Sequence, residues 1–245
     1  MSRRGKPLRE LLRKKYPDYH SDRIFALINS GMVSVNGEVV RDGASLVPVD
    51  ADIILASASN VPGRGYDKLE AAISEWKVPV KGKVWLDAGA STGGFTACLL
   101  AHGAAAVHAV DVGYNQLDYR LRIDDRVHVH ERANIMQPRE YLPAPDAFCM
   151  DLSFRSALNP VLIVLGICRL SWGIVLLKPQ FEWVDPPDWF NGIVPDDCLD
   201  EVVQQSLEEW RNNGVAINGI MPSPVKGRQG NQEFLVLVGD YSPDL

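Results

Sequence analysis

Lys83-Val-Trp-Leu-Asp-Ala-Gly-Ala-Ser-Thr-Gly-Gly-Phe95 is the stretch whose reading decides the fold. A short apolar run ends in Asp87, and small residues follow at once. That pattern predicts a buried parallel strand entering a tight turn and then a helix. Gly89 allows both a sharp turn and the close approach of a ligand. Gly93 and Gly94 fall where a helix must start against the sheet, and its free N–H groups would face that ligand. A nucleotide or nucleoside suits such a turn, and the turn alone leaves open which one; tight packing without a ligand is the alternative. Neither G-x-G-x-x-G nor a G-x-x-x-x-G-K-[ST] phosphate loop is present.

Downstream, strand and helix patterns alternate. Strands are predicted at 84–87, 106–111, 127–130, 147–151, 173–177, 215–220 and 233–238, with helices at 94–102, 158–170 and 199–212. This is a doubly wound, Rossmann-like α/β domain with a mostly parallel sheet. The last two strands are separated by about a dozen residues without helical periodicity, so they are expected as an antiparallel pair at one edge. Ligands of such sheets collect at the carboxyl ends of the strands. Asp87 and Asp111 end the first two strands, and an acid at the second can take a ribose diol. Asp151 and Lys178 end the fourth and fifth. A final antiparallel strand would begin, with Glu233, at that same edge. Asp151, Lys178 and Glu233 therefore converge beside the glycine-rich turn. A structural ion-pair cluster is the plain alternative. A lysine held between carboxylates can stabilise a developing oxyanion as an ammonium, or take a proton as an amine. Either role suits attack by a sugar hydroxyl on an electrophilic methyl group.

Upstream, 7–15 has helical spacing of Leu8, Leu11 and Leu12 among basic residues, and Pro17 stops it. Ser21 or Asp22 can cap a second helix that Gly31 ends. Asn36-Gly37, between two β-branched runs, signals a hairpin. Residues 1–55 thus read as a small α+β module, and 56–66 as a linker rich in Ala, Ser and Gly. Asp67 can cap a helix over 68–76, with 67–245 forming the larger domain. Lys68 would then sit in a first turn, where the helix dipole disfavours a cation. That conflict marks either a functional position or a lysine reaching back to solvent.

The 245 residues are 46% hydrophobic and 23% charged, as in an ordinary globular protein. The net charge of −6 is uneven, because the first 23 residues carry eight basic and three acidic side chains. A basic module on an acidic body fits RNA or DNA binding by one part. The four cysteines form no C-x-x-C pair, so neither a metal site nor a disulfide framework is expected, and a reducing, cytoplasmic setting is. His102, His108, His128 and His130 invite a metal reading, and His128 and His130 share one strand face, but no third ligand is evident and an ordinary edge or surface pair is the plainer reading. No apolar run approaches the roughly 20 residues of a spanning helix, so no membrane partner is expected.

The N-terminal stretch resembles the RNA-binding module of ribosomal protein S-four, through Arg23, Ile28, Gly31, Val33, Val35, Asn36, Gly37 and Val40. Nearly the whole chain resembles the TlyA family, once described as haemolysins and now as ribosomal RNA 2′-O-methyltransferases with an FtsJ-like catalytic domain. The matching stretches are Leu86 to Thr96, Ala109 to Gly113 with Gln116-Leu117, Asp151-Leu-Ser-Phe154, Lys178-Pro-Gln-Phe-Glu182, Ser223 to Gly227 and Gly230 to Phe234. The resemblance implies an S-adenosylmethionine-dependent RNA (cytidine-2′-O)-methyltransferase acting on ribosomal RNA or ribosomal subunits. It implies a catalytic tetrad of Lys68, Asp151, Lys178 and Glu233. It implies a cofactor site of Asp87, Gly89, Ala90, Ser91, Thr92, Gly93, Gly94, Phe95, Asp111 and Val112, and RNA contacts from Arg3, Arg4, Lys6, Arg9, Arg13, Lys14 and Arg23. Ala97, Gly63-Arg64-Gly65-Tyr66 and Pro195 depart from the family pattern. A non-catalytic RNA-binding protein and a membrane-active haemolysin are the alternative readings.

Overall fold

The computed structural model describes residues 5–17, 19, 21–29, 32–55, 64–137, 139–153 and 156–242, with the side chains of Asp22, Arg23, Ala26 and Asn29 outside the description. In chain order the first part holds β1 (Lys6–Pro7), α1 (Leu8–Lys15), α2 (Ser21–Asn29), β2 (Val33–Val35), β3 (Glu38–Val39), β4 (Leu46–Val47) and β5 (Ile53–Leu55). There follow α3 (Arg64–Trp76), β6 (Val84–Ala88), α4 (Gly94–Ala101), β7 (Ala106–Val110), α5 (Tyr119–Arg122), β8 (Val127–His130) and β9 (Ala147–Met150). The chain continues through α6 (Leu158–Ile167), β10 (Trp172–Leu177), α7 (Pro179–Glu182), α8 (Asp196–Asn212), β11 (Ile217–Pro222) and β12 (Phe234–Gly239).

The chain divides into two compact units, Met1–Asn60 with Asp118–Asp124, and Val61–Leu117 with Asp125–Leu245. In the first unit α1 and α2 bury Leu8, Leu12, Ile24, Leu27 and Ile28 against β2. Asn36 and Gly37 both take positive φ, 51° and 87°, which the two-residue turn between β2 and β3 requires.

The second unit is a seven-stranded sheet in the order β11-β12-β10-β9-β6-β7-β8. The five strands from β10 to β8 are parallel. β12 runs antiparallel beside β10, and β11 antiparallel beside β12 at the edge. The central strands are buried and mostly apolar, with Asp87 in β6 and His108 in β7 as polar exceptions, because the core covers both faces. Leu86, Phe148, Val175, Trp210 and Val236 meet in that core. Among the described residues no helix is long and apolar enough to cross a membrane.

Several boundaries differ from the sequence reading. α3 starts at Arg64 and takes in residues expected in the linker, so Lys68 lies in its second turn and the expected dipole conflict is relieved. The added turn packs closely, since a Cβ on Gly94 would lie 3.0 Å from Gly65 Cα. α8 begins at Asp196, behind an extended Pro195 and with two acids in its first turn that suit the helix dipole. α6 stops at Ile167 because Cys168 turns extended. The short helices α5 and α7 carry no periodicity long enough to read. Most of the expected linker lies outside the described residues.

Candidate active site

β6 delivers the chain into the glycine-rich turn. Gly89 and Gly93 adopt φ of 88° and 97°, and Ser91 adopts 48°. Gly89 and Ala90 donate their N–H groups to Val110 O, tying the turn to the end of β7. Asp111 completes the fastening, accepting from Ser91 N at 2.8 Å and from Gly113 N at 2.7 Å. A Cβ on Gly89 would stand 2.4 Å from Asp151 O, so only glycine lets the turn lie against the next strand end. Beneath the turn Asp87 is fully buried and accepts from Thr96 Oγ1 at 2.6 Å. Burial pushes its carboxyl up to about 7, against the Thr96 hydrogen bond and reinforced by the charge of Asp151.

Four charged side chains meet beside this turn. Lys68 Nζ lies 2.5 Å from Glu233 Oε2 and 3.9 Å from Asp151 Oδ2. Lys178 Nζ lies 2.6 Å from Asp151 Oδ1 and donates to Ser153 Oγ at 3.1 Å. Lys68, Lys178 and Glu233 are buried, while Asp151 is partly open to solvent. Their elements explain the meeting. Asp151 directly follows β9, Lys178 directly follows β10, and Glu233 directly precedes antiparallel β12, so all three stand at one edge.

Glu182, at the end of α7, accepts from Ser156 Oγ and Ala157 N, both at 2.7 Å. Burial pushes this carboxyl up, opposed by those two bonds. α7 thereby secures the loop that follows Asp151.

The tetrad opens on a cavity of about 440 Å³, within the range of small-molecule sites. Its wall takes in Gly89, Ala90, Ser91, Thr92, Gly94 and Phe95 together with Lys68, Asp151, Lys178 and Glu233. Arg64, Lys226 and Arg228 also line it, so cations outnumber carboxylates. Arg64 Nη2 donates to Lys226 O. Gln180 lines the same wall, and its Oε1 is buried without a partner among the described residues.

The remaining expected residues fall elsewhere. Asp87 supports the turn from below, and Gly93, Asp111 and Val112 are not on the cavity wall. In the first unit Lys6 pairs with Glu10 at 2.5 Å, Arg13 donates to Ser21 Oγ at 2.7 Å, and Arg9 and Lys14 are exposed on α1. Arg3, Arg4 and the side chain of Arg23 lie outside the described residues. Arg64, Ser153, Gln180, Lys226 and Arg228 were not singled out as site residues. Arg64 lies in the expected linker and Ser153, Gln180 and Lys226 lie inside the matching stretches, whereas Arg228 falls between two of those stretches and carries no sequence signal. His128 and His130 have a third histidine beside them. His108, fully buried on β7, places Nε2 2.8 Å from Pro143 O and Nδ1 2.9 Å from His130 Nε2. A carbonyl only accepts, so the His108 proton sits on Nε2 and His130 Nε2 donates to His108 Nδ1.

The FtsJ-like methyltransferase family matches residues 61–240. Hemolysin A of Brachyspira hyodysenteriae is 36% identical over 214 residues, 85% of this chain and 89% of the relative. The 16S/23S rRNA (cytidine-2′-O)-methyltransferase TlyA of Mycobacterium tuberculosis is 34% identical over 245 residues, 96% of this chain and 90% of the relative. The solved structure of a protein described as a candidate hemolysin from Streptococcus thermophilus superposes with a TM-score of 0.68, at 28% identity, over 97% of this chain and 89% of that one. A parallel sheet with a glycine-rich turn, a buried charged tetrad at its open edge and these relatives agree: the chain belongs to the FtsJ-like methyltransferase family.

Proposed function

We propose that the chain methylates the ribose 2′-hydroxyl of cytidine in ribosomal RNA, using S-adenosylmethionine, with Lys68, Asp151, Lys178 and Glu233 as the catalytic set. The observation that carries the reading is the alternating chain Glu233–Lys68–Asp151–Lys178 on the wall of a cavity whose other side is the glycine-rich turn. Gly89, Gly94 and the cation-rich wall fit a nucleoside with a carboxylate tail, because the backbone can approach closely and anionic groups are welcome there. Bound S-adenosylmethionine supplies a methyl group on a sulfonium, ready for in-line displacement.

Lys178 Nζ is the group aimed at the 2′-hydroxyl. As an amine it takes the hydroxyl proton; as an ammonium it stabilises the alkoxide while solvent takes the proton. Asp151 fixes Nζ through one oxygen and faces Lys68 with the other. Glu233 anchors Lys68 from behind. With S-adenosylmethionine held in the cavity, the 2′-oxygen would form its bond to the methyl carbon as the carbon–sulfur bond breaks and its electron pair stays on sulfur. Holding the reacting atoms in line contributes up to about 7–11 kcal/mol in the best intramolecular cases.

Residues 1–55 act as the RNA-binding module, 56–66 as the linker and 67–245 as the methyltransferase domain, with Arg3, Arg4, Lys6, Arg9, Arg13, Lys14 and Arg23 contributing affinity rather than chemistry. Phosphate contacts of this kind position RNA without reading its bases. Incubation of purified ribosomal subunits with labelled S-adenosylmethionine tests the reading. Label in an alkali-resistant dinucleotide at a cytidine supports it, because a 2′-O-methyl group blocks cleavage; label only in a base contradicts it.

A further inference from the structure

A second set of donor atoms lies between two helices of the catalytic unit, and the methyl-transfer reading leaves it unused. Cys98 lies within α4 and His102, four residues on, caps its C-terminal end, so the two follow one another along one side of the helix. Glu70 comes from α3, two residues beyond Lys68. Glu70 Oε2 accepts from His102 Nε2 at 2.7 Å and from Cys98 Sγ at 3.7 Å. One donor atom from each of the three residues lies within 4.8 Å of the others. Cys98 is buried, whereas Glu70 and His102 are half-exposed, so solvent reaches one side of the group.

We propose that Glu70, Cys98 and His102 form a site for a zinc-class divalent transition ion, with water as the fourth ligand. Zinc bonds of about 2.0–2.3 Å place tetrahedral ligand atoms roughly 3.3–3.7 Å apart. The Cys98–Glu70 separation already meets this spacing. The Glu70–His102 separation needs to open by about 0.6 Å, a small movement for two half-exposed side chains. One thiolate, one imidazole and one carboxylate favour zinc or cobalt over magnesium or calcium, which take oxygen ligands. On binding, Cys98 gives up its thiol proton to solvent and His102 moves its proton from Nε2 to Nδ1, freeing the Nε2 lone pair. The sequence alone does not bring the three together, because they come from a Cys-x-x-x-His and a glutamate on another helix, not from a C-x-x-C pair. The ion would cross-link the helix that carries Lys68 to the helix that leaves the glycine-rich turn.

Titration of the metal-stripped full-length chain with cobalt(II) tests the site without RNA or S-adenosylmethionine. The expected result is one equivalent bound with a cobalt–thiolate charge-transfer band, displaced by zinc, and a thermal midpoint that rises with zinc. Cys98→Ser abolishes the band, His102→Gln weakens cobalt binding more than tenfold, and Cys198→Ser leaves both unchanged. His102→Gln carries the test if Cys98→Ser fails to fold. Absence of the band in the unaltered chain, its persistence in Cys98→Ser, or unchanged affinity in His102→Gln would overturn the proposal.

Discussion

Asp151 Oδ1 holds Lys178 Nζ at 2.6 Å while its other oxygen faces Lys68 Nζ at 3.9 Å. One carboxylate thus orients two lysines, and it is the most open member of the set. On the proposed reading the pairing separates two jobs: Lys178 serves the reacting hydroxyl, and Lys68 with Glu233 supports the carboxylate from within.

That division predicts different costs. Lys68→Met leaves Glu233 buried without its partner, and breaking a buried pair this way costs about 3–5 kcal/mol. The double variant Lys68→Met with Glu233→Gln removes both charges and recovers most of that stability, though not activity. Denaturant unfolding of the three proteins checks the expectation; equal stability of the single and double variants would contradict it.

Gly89 couples the turn to the catalytic edge. Gly89→Ala forces a Cβ to within 2.4 Å of Asp151 O at a φ of 88°. Strain of about 1–3 kcal/mol is expected from the backbone alone, and displacement of Asp151 should abolish methyl transfer. Binding of S-adenosylmethionine by calorimetry and methyl transfer are both expected to fall; retention of either at the unaltered level would show that the turn tolerates the added methyl group.

Two groups, partly buried His130 and fully buried Asp87, give stability opposite pH dependences. Burial holds the His130 imidazole down to about 4, with His108, Arg139 and His128 adding to the shift. A histidine kept neutral by the fold stabilises above its ordinary range of about 6.5, and that contribution is lost as pH falls towards 4. Asp87 has the reverse sign. Its carboxyl, raised to about 7, contributes below about 4 and loses that contribution as pH rises through 7. His130→Gln should therefore flatten the acid limb of a stability–pH curve, and Asp87→Asn the neutral limb. Thermal midpoints from pH 4 to 8 are the measurement, and unchanged slopes in both variants would refute the assignment.

Much of the fold was legible because buried parallel strands read as apolar runs, and their ends are marked by Asp87, Asp111, Asp151 and Lys178. The antiparallel edge was legible from the short gap before Glu233. What escaped were features made by tertiary packing rather than by pattern. Glu182 securing the loop at Ser156, the Asp111 carboxylate fastening the glycine-rich turn, and His108 joining His130 all depend on residues far apart in sequence. The start of α3 escaped because Arg64 and Gly65 carry a composition typical of linkers, and only packing against Gly94 makes them helical.

The basic face of α1 makes a separate prediction. Replacing Arg9, Arg13 and Lys14 with Ala should weaken RNA binding and reduce its salt slope by about 0.7–0.9 for each phosphate left unneutralised. Binding measured across a range of salt concentrations checks this, and an unchanged slope would remove these residues from the interface.

The most direct test is transfer of labelled methyl from S-adenosylmethionine to ribosomal subunits by the unaltered chain and by Lys178→Ala, with folding of both confirmed. Loss of a positioned proton-transfer group lowers rates by about 10²–10⁴, so ribose label is expected from the unaltered chain and a fall of that size from Lys178→Ala. Equal label from both proteins would contradict the role given to Lys178 and with it the catalytic reading of the tetrad.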